Sequence, residues 1–331
     1  VGLTRESDGF FDGVVAADLE DGHEIRVSAK VVINATGPFA DAVRRLSDPE
    51  SAPLIAPSQG VHLVFDRSFL PGQSAIMVPH TRDGRVMFAI PWHGHTLVGT
   101  TDTPITEPTL EPRAKDEEIA FILETAGQYL HRAPTRADVL SVSVGIRPLV
   151  RSGGATSTAA LSRDHTIHID PSGLLTIAGG KWTTYRHMAE DVVNQAAMLA
   201  RLPEKTCVTK TLNIHGFHPH AEKFGALSVY GSDALAIQDL MCAHPPLAER
   251  LHPALPYCRA EVVWAVRVEM ARSVEDVLAR RCRALFLNAK AAVEMASAVA
   301  ALMAAELGRE DDWQRGEVAA FTRLADQYRL S

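Results

Sequence analysis

A strand, a glycine turn and a helix follow one another at two places in this chain, and this repeated pattern most constrains its fold. Residues 31–33 form a continuous apolar run (VVI), which is typical of a strand buried on both faces of a parallel sheet. Gly37 then allows a tight turn, and Pro38 can begin a helix. A second apolar run, LLTIA at residues 174–178, is followed by two glycines and another helical segment. The pattern predicts an α/β fold that binds its ligand where strands end in glycine turns.

The composition sets broad limits on the class of protein. The 331 residues suffice for two or three domains, and 46% hydrophobic with 22% charged residues is typical of a globular chain with a sizeable core. A net charge of −7 argues against a nucleic-acid binder, and no uncharged apolar window approaches the ~18 residues of a membrane span. The four cysteines form no CxxC and the histidines show no metal spacing, so we predict no metal site, no disulfide framework and a reducing compartment.

Between the two patterns, the sequence changes to short strands separated by turn signals. The candidate strands are residues 61–65, 75–78, 86–90, 96–99 and 139–146. Their spacing of about ten residues predicts an antiparallel sheet. Residues 116–130 carry apolar side chains at helical spacing, which predicts a helix on that sheet, and residues 47–57 read as a linker.

From about residue 221 the pattern is mostly helical. Ser273 is a candidate N-cap, followed by acidic residues, for a helix that reaches Leu287. Residues 289–307 predict a second helix that ends at Gly308, and residues 311–328 predict the last. These helices form a predicted C-terminal helical domain.

Two of the turns are candidate ligand-binding segments. The candidate residues are Ala35, Thr36 and Gly37 in the first and Gly179, Gly180, Lys181, Thr183 and Thr184 in the second. Paired glycines let a ligand approach the backbone closely, and the amino end of the following helix favours an anion or an electron-rich ring. The alternative interpretation is a permissive glycine loop before a capped helix with a solvated lysine.

Two arginines and one histidine are further candidates. Arg147 and Arg163 adjoin apolar strands, and the planar guanidinium group binds phosphate or carboxylate through two oxygens. Taken singly, each is more often a surface arginine, and Asp164 is a ready partner for Arg163. His62 lies within an apolar strand, where a histidine is usually a core residue and is a base only if it lines the ligand cavity.

Seven motifs in order carry a family resemblance over nearly the whole chain. They are residues 31–38 (VVINATGP), 58–62 (SQGVH), 90–92 (IPW), 99–102 (GTTD), 145–149 (GIRPL), 162–165 (SRDH) and 179–185 (GGKWTTY). Together they closely resemble FAD-dependent, quinone-linked glycerol-3-phosphate dehydrogenases, and residues 273–281 resemble the helical C-terminal domain of bacterial members. The resemblance implies an α/β plus α fold: a partial Rossmann-like FAD-binding domain (1–50 and 161–202), a β-rich substrate-binding domain (51–160) and a helical domain (205–331).

The resemblance also implies a reaction and a set of roles. Such enzymes oxidise sn-glycerol 3-phosphate at C2 to dihydroxyacetone phosphate and pass hydride to N5 of FAD. The implied catalytic residues are His62, Arg147 and Lys181, and the implied substrate-binding residues are Arg147, Arg163, Lys181 and Thr184. The implied FAD-binding residues are Ala35, Thr36, Gly37, Gly179, Gly180, Lys181, Thr183 and Thr184. Of these, His62 as base has the least support.

The expected partners follow from the same resemblance. They are glycerol 3-phosphate, a membrane quinone and the inner face of the cell membrane, on which a cytoplasmic protein would lie peripherally, and a homodimer is left open. Residues 280–283 (RRCR), beside apolar Val277, Leu278, Leu285 and Phe286, could touch anionic lipid, although such a stretch is more often a solvated helix face.

One departure from the family is large. The chain starts at Val1, its first predicted elements are the two strands of a hairpin at residues 14–19 and 24–32, and it has no GxGxxG, the turn that holds the ADP half of FAD in such enzymes. We therefore expect a C-terminal portion of the enzyme that binds FAD weakly or not at all by itself and exposes a sheet edge. Two alternatives remain: a glycerol-3-phosphate oxidase that uses oxygen, and an inactive fragment of the dehydrogenase.

Overall fold

The computed structural model describes residues 2–81, 84–151 and 164–330. Within these ranges the chain forms two compact units. Unit 1 comprises Val1–Gly60, Asp102–Pro112 and Gly145–Leu212, and unit 2 comprises Val61–Thr101, Arg113–Val144 and Asn213–Ser331. The three-domain division expected from the resemblance is a different partition and stays a prediction.

The strands of the described residues form three sheets. In chain order they are Gly2–Arg5 (β1), Phe11–Ala17 (β2), Glu24–Ser28 (β3), Ile33–Asn34 (β4), Ile55–Asp66 (β5), Ile76–Val78 (β6), Met87–Trp92 (β7), His95–Gly99 (β8), Thr103–Pro104 (β9), Ser141–Val150 (β10), His165–Ile169 (β11) and Leu175–Gly179 (β12). The sheet orders are β1-β2-β3, β10-β5-β8-β7-β6 with β9 beside β5, and β11-β12-β4.

The helices concentrate toward the carboxyl end of the chain. They are Ala40–Ser47 (α1), Asp116–Ala126 (α2), Tyr185–Leu199 (α3), Ala234–Ala243 (α4), Arg259–Arg267 (α5), Ala284–Leu287 (α6), Ala289–Leu307 (α7) and Asp311–Ala325 (α8). Sheets followed by a helical region confirm the predicted α/β plus α class. No helix in the described part of the chain is both long and apolar enough to cross a bilayer.

The small sheet of unit 1 combines the two strand–turn–helix segments. β11 and β12 pair antiparallel, whereas β12 and β4 pair parallel, with Leu175 opposite Ile33 and Thr176 opposite Asn34. Leu175 and Ile177 are buried against one face of α3, and Ala178 is buried against Ala40 at the start of α1. Helices therefore cover both faces of β12, which explains its uninterrupted apolar sequence.

The antiparallel sheet has one face against a helix, as the alternation predicts. In unit 2, Leu63, Met87 and Val98 are buried with Ile119 and Ile122 of α2. The predicted helix is shorter than expected because it ends at Gly127 rather than near residue 130. The predicted linker is also shorter, since β5 already begins at Ile55.

The helix predicted from Ser273 to Leu287 is wrong in its middle. Ser273 does cap the segment, since its Oγ accepts a hydrogen bond from the Asp276 backbone N–H (3.1 Å). The chain then forms a π-helical turn, Asp276–Arg281, and becomes extended at Cys282 before α6. The Cys282 backbone N–H donates to the Val277 carbonyl, a five-residue span that widens the helix and ends it.

The lipid-facing interpretation of residues 280–283 is not supported by this geometry. Val277, Leu278 and Leu285 are buried in the main core of unit 2. Arg280 pairs with Glu275 and Asp276. The apolar neighbours of this basic stretch therefore belong to the protein interior rather than to a membrane-binding face.

Candidate functional site

Two candidate turns lie at the same edge of one sheet in unit 1. Because β4 and β12 are parallel neighbours, their carboxyl ends point the same way. Residues 35–37 follow β4 and precede a 3₁₀ turn and α1, and Gly180 and Lys181 follow β12 and precede a 3₁₀ turn and α3. The sequence predicted each turn separately, and the parallel pairing makes them neighbours.

Asn34 holds the first turn in shape. Its side chain is 2% exposed, and its Nδ2 donates to the Ala40 carbonyl (2.9 Å) and to Thr176 Oγ1 (3.3 Å). Its Oδ1 accepts from Thr36 Oγ1 (2.7 Å). One buried amide thus joins the end of β4, the turn, the start of α1 and strand β12. Sequence reasoning missed it, although a polar residue that ends a buried apolar run is a usable signal.

The glycines of the two turns have different surroundings. A Cβ on Gly37, whose φ is +58°, would meet no atom within 4 Å, so the space beside this turn is open. A Cβ on Gly179 would lie 2.8 Å from the Asp164 carbonyl oxygen and 2.9 Å from Val150. A Cβ on Gly180 would lie 2.4 Å from the Met188 sulfur. Both also have φ of +74°, which favours glycine at each, and at Gly179 the close Asp164 backbone leaves no room for a side chain.

Lys181 and the residues after it form the exposed start of α3. The Thr184 hydroxyl donates to the Lys181 carbonyl (3.0 Å) and accepts from the Lys181 backbone N–H (3.3 Å), so it caps this helical segment. Lys181 itself is exposed and, among the described residues, lies within 4 Å of no carboxylate. Trp182, 84% exposed, stacks on Tyr185 with ring centroids 5.2 Å apart. The segment therefore presents a cation beside a flat aromatic surface.

Arg147 is held by a polar network in unit 1. Its Nη1 donates to Asp102 Oδ1 (3.3 Å) and to the Gln59 carbonyl (3.4 Å). The Ser58 hydroxyl donates to the same Asp102 oxygen. β9 pairs with β5 at Ser58 and Gln59, and this pairing brings the neighbouring Asp102 to them. The sequence motifs contain Asp102 and Ser58 without indicating a role for either. Their interaction with Arg147 is visible only in the tertiary structure.

Arg147 and the second glycine turn belong to adjoining parts of unit 1. Val150, the last residue of β10, packs with Ala178 in one small core and approaches Gly179. Arg147 lies three residues earlier on the same strand, a separation of about 10 Å along an extended chain. β10 therefore links the segment that carries Arg147 to the small core beside Gly179, although residues three apart on a strand point to opposite faces.

The two other predicted site residues are Arg163 and His62. Arg163 lies outside the described residues. His62 belongs to unit 2, where it is half-buried and opposite Gly99 in the β5–β8 register. A Cβ on Gly99 would lie 2.4 Å from His62 Cδ2, so the imidazole lies across this glycine. The roles predicted for both residues stay predictions.

No cluster of three or more potential metal ligands (His, Cys, Asp or Glu) occurs in the described part of the chain. The two turns at the sheet edge supply backbone amides, the hydroxyls of three threonines and the Lys181 cation, groups that favour an electron-rich or anionic ligand.

Two family models match the chain. One, described as FAD dependent oxidoreductase, matches residues 2–186, more than half of the chain. The other, described as the C-terminal domain of alpha-glycerophosphate oxidase, matches residues 175–314. The two matches meet at the strand and turn around Gly179.

Relatives with curated names are similar over almost all of this sequence. A probable mitochondrial glycerol-3-phosphate dehydrogenase of Caenorhabditis elegans is 40% identical over 96% of this chain and 47% of its own length. The mitochondrial glycerol-3-phosphate dehydrogenase of Rattus norvegicus is 37% identical over 94% of this chain and 46% of its own length. The chain therefore spans about half the length of the curated relatives it matches.

One solved structure is similar over nearly the whole fold. The crystal structure of glycerol-3-phosphate dehydrogenase from Bacillus halodurans, complexed with FAD, superposes with a TM-score of 0.83 at 28% identity. The superposition covers 99% of this chain and 68% of that one.

Proposed function

This chain belongs to the FAD-dependent oxidoreductase family, and on that premise we propose that it takes part in the oxidation of sn-glycerol 3-phosphate to dihydroxyacetone phosphate. The observation that carries the proposal is the sheet edge of unit 1, where the turns after β4 and β12 lie side by side. The named relatives and the Bacillus halodurans structure support the choice of substrate.

The residues at this edge fit a flavin. The open space beside Gly37 would accommodate a planar ring or a linker at the backbone of the first turn, and Ala35 and Thr36 flank it. Gly179, Gly180, Lys181, Thr183 and Thr184 form the second wall, and the amino end of the α3 segment supplies a partial positive charge there. When bound, FAD supplies a two-electron acceptor for hydride at N5, and the chain supplies its binding and electrostatics.

The substrate carries a phosphate, and the candidate cations suit it. Arg147 is held on one side by Asp102, so its position is fixed in the absence of any ligand. Lys181 extends from the glycine turn with no carboxylate partner in the described ranges. We assign substrate binding to Arg147, Lys181 and Thr184 and, on the resemblance alone, to Arg163. Thr184 already caps the helix, so its proposed contact uses the remaining lone pair of its hydroxyl to accept a hydrogen bond from a substrate hydroxyl rather than to bind the phosphate.

Oxidation of an alcohol also requires that the hydroxyl proton be accepted. The candidate base in this chain is His62, and with Arg147 and Lys181 it forms the proposed catalytic set. An imidazole is a suitable base because its ordinary pKa lies near neutrality. The assignment of His62 rests on the family resemblance.

The electron acceptor and the cellular location belong to the same proposal. We infer, from the family resemblance, a membrane quinone as acceptor and a peripheral position on the inner face of the cell membrane; the names of the relatives, which are dehydrogenases, support an acceptor other than oxygen. A second candidate acceptor is oxygen, since the family model that matches residues 175–314 is described from an oxidase. A homodimer is also retained as a proposal.

The deciding experiment uses the purified protein with added FAD, and flavin that stays with the protein after desalting shows that the chain binds it. Under anaerobic conditions, glycerol 3-phosphate is expected to bleach the flavin absorbance, and glycerol, which lacks the phosphate, is expected to leave it unchanged at the same concentration. Adding a quinone analogue or oxygen to the reduced protein then identifies the acceptor from the rate of reoxidation. A flavin that stays oxidised with glycerol 3-phosphate would overturn the proposed substrate.

A further inference from the structure

A cavity of about 170 Å³ lies inside unit 2, at the tip of the hairpin that joins β7 and β8. The lining residues with polar side chains are His93, Ser228, Tyr230, Tyr257, Arg281, Cys282 and Arg283, and the Tyr230 hydroxyl donates to Glu261. No carboxylate belongs to the lining within the described part of the chain, and no lining residue is among the site residues predicted from the sequence. The cavity thus shares no residue with the predicted site, and several hydrogen-bond donors line it.

Arg283 brings a positive charge that no neighbouring carboxylate neutralises. The nearest side-chain partner of its guanidinium group is His93, with Nη1 and Nε2 3.4 Å apart. Within residues 2–81, 84–151 and 164–330, no Asp or Glu oxygen lies within 4 Å of it. Arg280, three positions earlier, has the opposite surroundings, because Glu275 and Asp276 both pair with it. Arg283 therefore differs from the ordinary paired arginines of this surface.

Tyr257 supplies a donor aimed at the same cavity. Its oxygen accepts a hydrogen bond from the Arg283 backbone N–H (3.0 Å). The structure gives its O–H no acceptor among the described residues. Burial raises the pKa of Tyr257 above its ordinary value, so the hydroxyl keeps its proton at neutral pH and can donate.

His93 lies at a turn position where asparagine is the favoured residue. The hairpin has a two-residue loop, His93-Gly94, in which both φ angles are positive (+46° and +76°). Such a type I′ turn favours Asn-Gly, because few side chains tolerate this backbone region. Burial, followed by the charge of Arg283, lowers the pKa of His93, so the imidazole is mostly neutral.

The remaining wall contains an arginine that is already engaged. Arg281 donates two hydrogen bonds, from Nε and Nη2, to the Glu269 carbonyl, and its Nε lies 4.0 Å from Glu269 Oε2. Cys282 lies between the two arginines, and burial raises the pKa of its thiol to about 12, so it remains neutral. Arg283 is thus the cation of the lining without a carboxylate partner in the described ranges, and neutral donors surround it.

We propose that this cavity binds a small oxyanion, best matched by a phosphate group, through Arg283, the Tyr257 hydroxyl and Arg281. Guanidinium groups bind phosphate oxygens through charge-assisted hydrogen bonds, and the tyrosine O–H adds a neutral donor. The volume suffices, since one water takes about 30 Å³ of liquid and the cavity holds several times that. The bound group would join the hairpin tip to the helical segments around Tyr257 and Arg283.

The test follows the His93 ring by NMR in the full chain with labelled histidine, and inorganic phosphate is the probe. Phosphate is added at constant ionic strength, with chloride as the reference anion, and His93→Asn identifies the resonance because asparagine suits the turn. We expect a saturable shift of the His93 signal. In Arg283→Gln we expect binding at least about tenfold weaker, since one charge-assisted contact is lost.

Two variants make the result specific. Arg280→Gln removes a neighbouring paired arginine and should leave the titration unchanged. Arg147→Ala removes the cation of the site proposed in unit 1, so phosphate binding there cannot account for a shift that survives in this variant. A His93 signal that moves equally in chloride, or that titrates identically in Arg283→Gln, would overturn the proposal. If Arg283→Gln fails to fold, the comparison of phosphate with chloride in the unmodified chain decides the test.

Discussion

Several of the side chains that matter most in this protein hold other groups in place. Asp102 and Asn34 are examples: the first fixes the Arg147 guanidinium group, and the second shapes the turn before Gly37. Gly99 acts by having no side chain, because the His62 ring fills the space that a Cβ would need. Such roles depend on pairs of residues that are distant in sequence. They make single substitutions informative.

Asp102→Asn tests the positioning of Arg147. Asparagine can still accept the Ser58 hydrogen bond, but the charge that orients the guanidinium group is lost. Provided the proposed substrate is correct, we expect KM for glycerol 3-phosphate to rise about three- to tenfold with a smaller change in kcat. Steady-state kinetics measure this, and Asp312→Asn, in an exposed Asp–Arg pair, is the control. An equal effect of both substitutions would contradict the role of Asp102.

Gly99→Ala tests the contact with His62. The new Cβ would lie 2.4 Å from His62 Cδ2 and 2.8 Å from the Val61 carbonyl oxygen, so the strand must shift. We expect a loss of about 1–3 kcal/mol in the free energy of unfolding, measured in urea. Gly145→Ala, where a Cβ meets no atom within 4 Å, should change it by less than about 0.5 kcal/mol. Similar values for both variants would show that the close approach is absent.

At the scale of elements, function depends on how strands end and helices begin. β4 contributes only two residues to its sheet, yet its parallel pairing with β12 sets the position of the first turn. Asn288 caps α7 through its Oδ1, which accepts from the Ala291 backbone N–H (3.0 Å), and Gly308 ends the same helix with φ of +64°. One asparagine thus organises the proposed flavin edge, and another begins a helix of the core of unit 2.

These two asparagines provide a matched comparison. Asn34→Ala leaves the Ala40 carbonyl and the Thr36 hydroxyl without their buried partner, so we expect about 1–3 kcal/mol of destabilisation and reduced flavin content. Asn288→Ala should lower stability by about 1 kcal/mol through loss of the cap, with flavin content unchanged. Urea unfolding and the ratio of flavin to protein absorbance measure both. Equal flavin loss in the two variants would remove the special role of Asn34.

At the scale of the whole molecule, burial raises the pKa of some carboxyl groups, because it disfavours their charged form. Glu261 of α5 is buried, and its carboxylate accepts hydrogen bonds from the Tyr230 hydroxyl (3.1 Å) and the Cys258 backbone N–H (2.7 Å). Burial nevertheless raises its pKa, and burial also raises the pKa of Glu269. The folded chain therefore holds protons on these carboxyls at pH values where the unfolded chain has lost them.

The sign of the pH dependence follows from that difference. Between the ordinary pKa of a glutamate and the raised pKa of the folded state, the folded chain binds more protons, so the free energy of unfolding falls as pH rises. Glu261→Gln cannot ionise and should lessen this fall, gaining stability relative to the unmodified chain from pH 4.5 upward. Urea unfolding across pH 4.5–8 measures the difference. An unchanged or steeper decline in the variant would contradict the assignment to Glu261.

Local patterns in the sequence predict most of the helices and strands and the fold class. The hairpin, the antiparallel strands, the helix on their sheet and the helix from Ala289 to Leu307 all follow from local periodicity and from caps such as Gly308. The glycine turns were also predicted, because their residue types reflect local backbone needs. The prediction of one continuous helix from Ser273 to Leu287 was wrong, because a π-helical turn and a break at Cys282 leave no simple periodic signal.

The spatial neighbours of each segment, in contrast, follow from the tertiary structure alone. The parallel pairing of β4 with β12, the Asp102 partner of Arg147 and the cavity at His93 all join segments far apart in the chain. Local patterns depend on interactions within a few residues, whereas these contacts depend on which buried surfaces fit together once the chain is compact. Residue types therefore indicated what chemistry the chain can support, and packing determined where its charges, turns and donors meet.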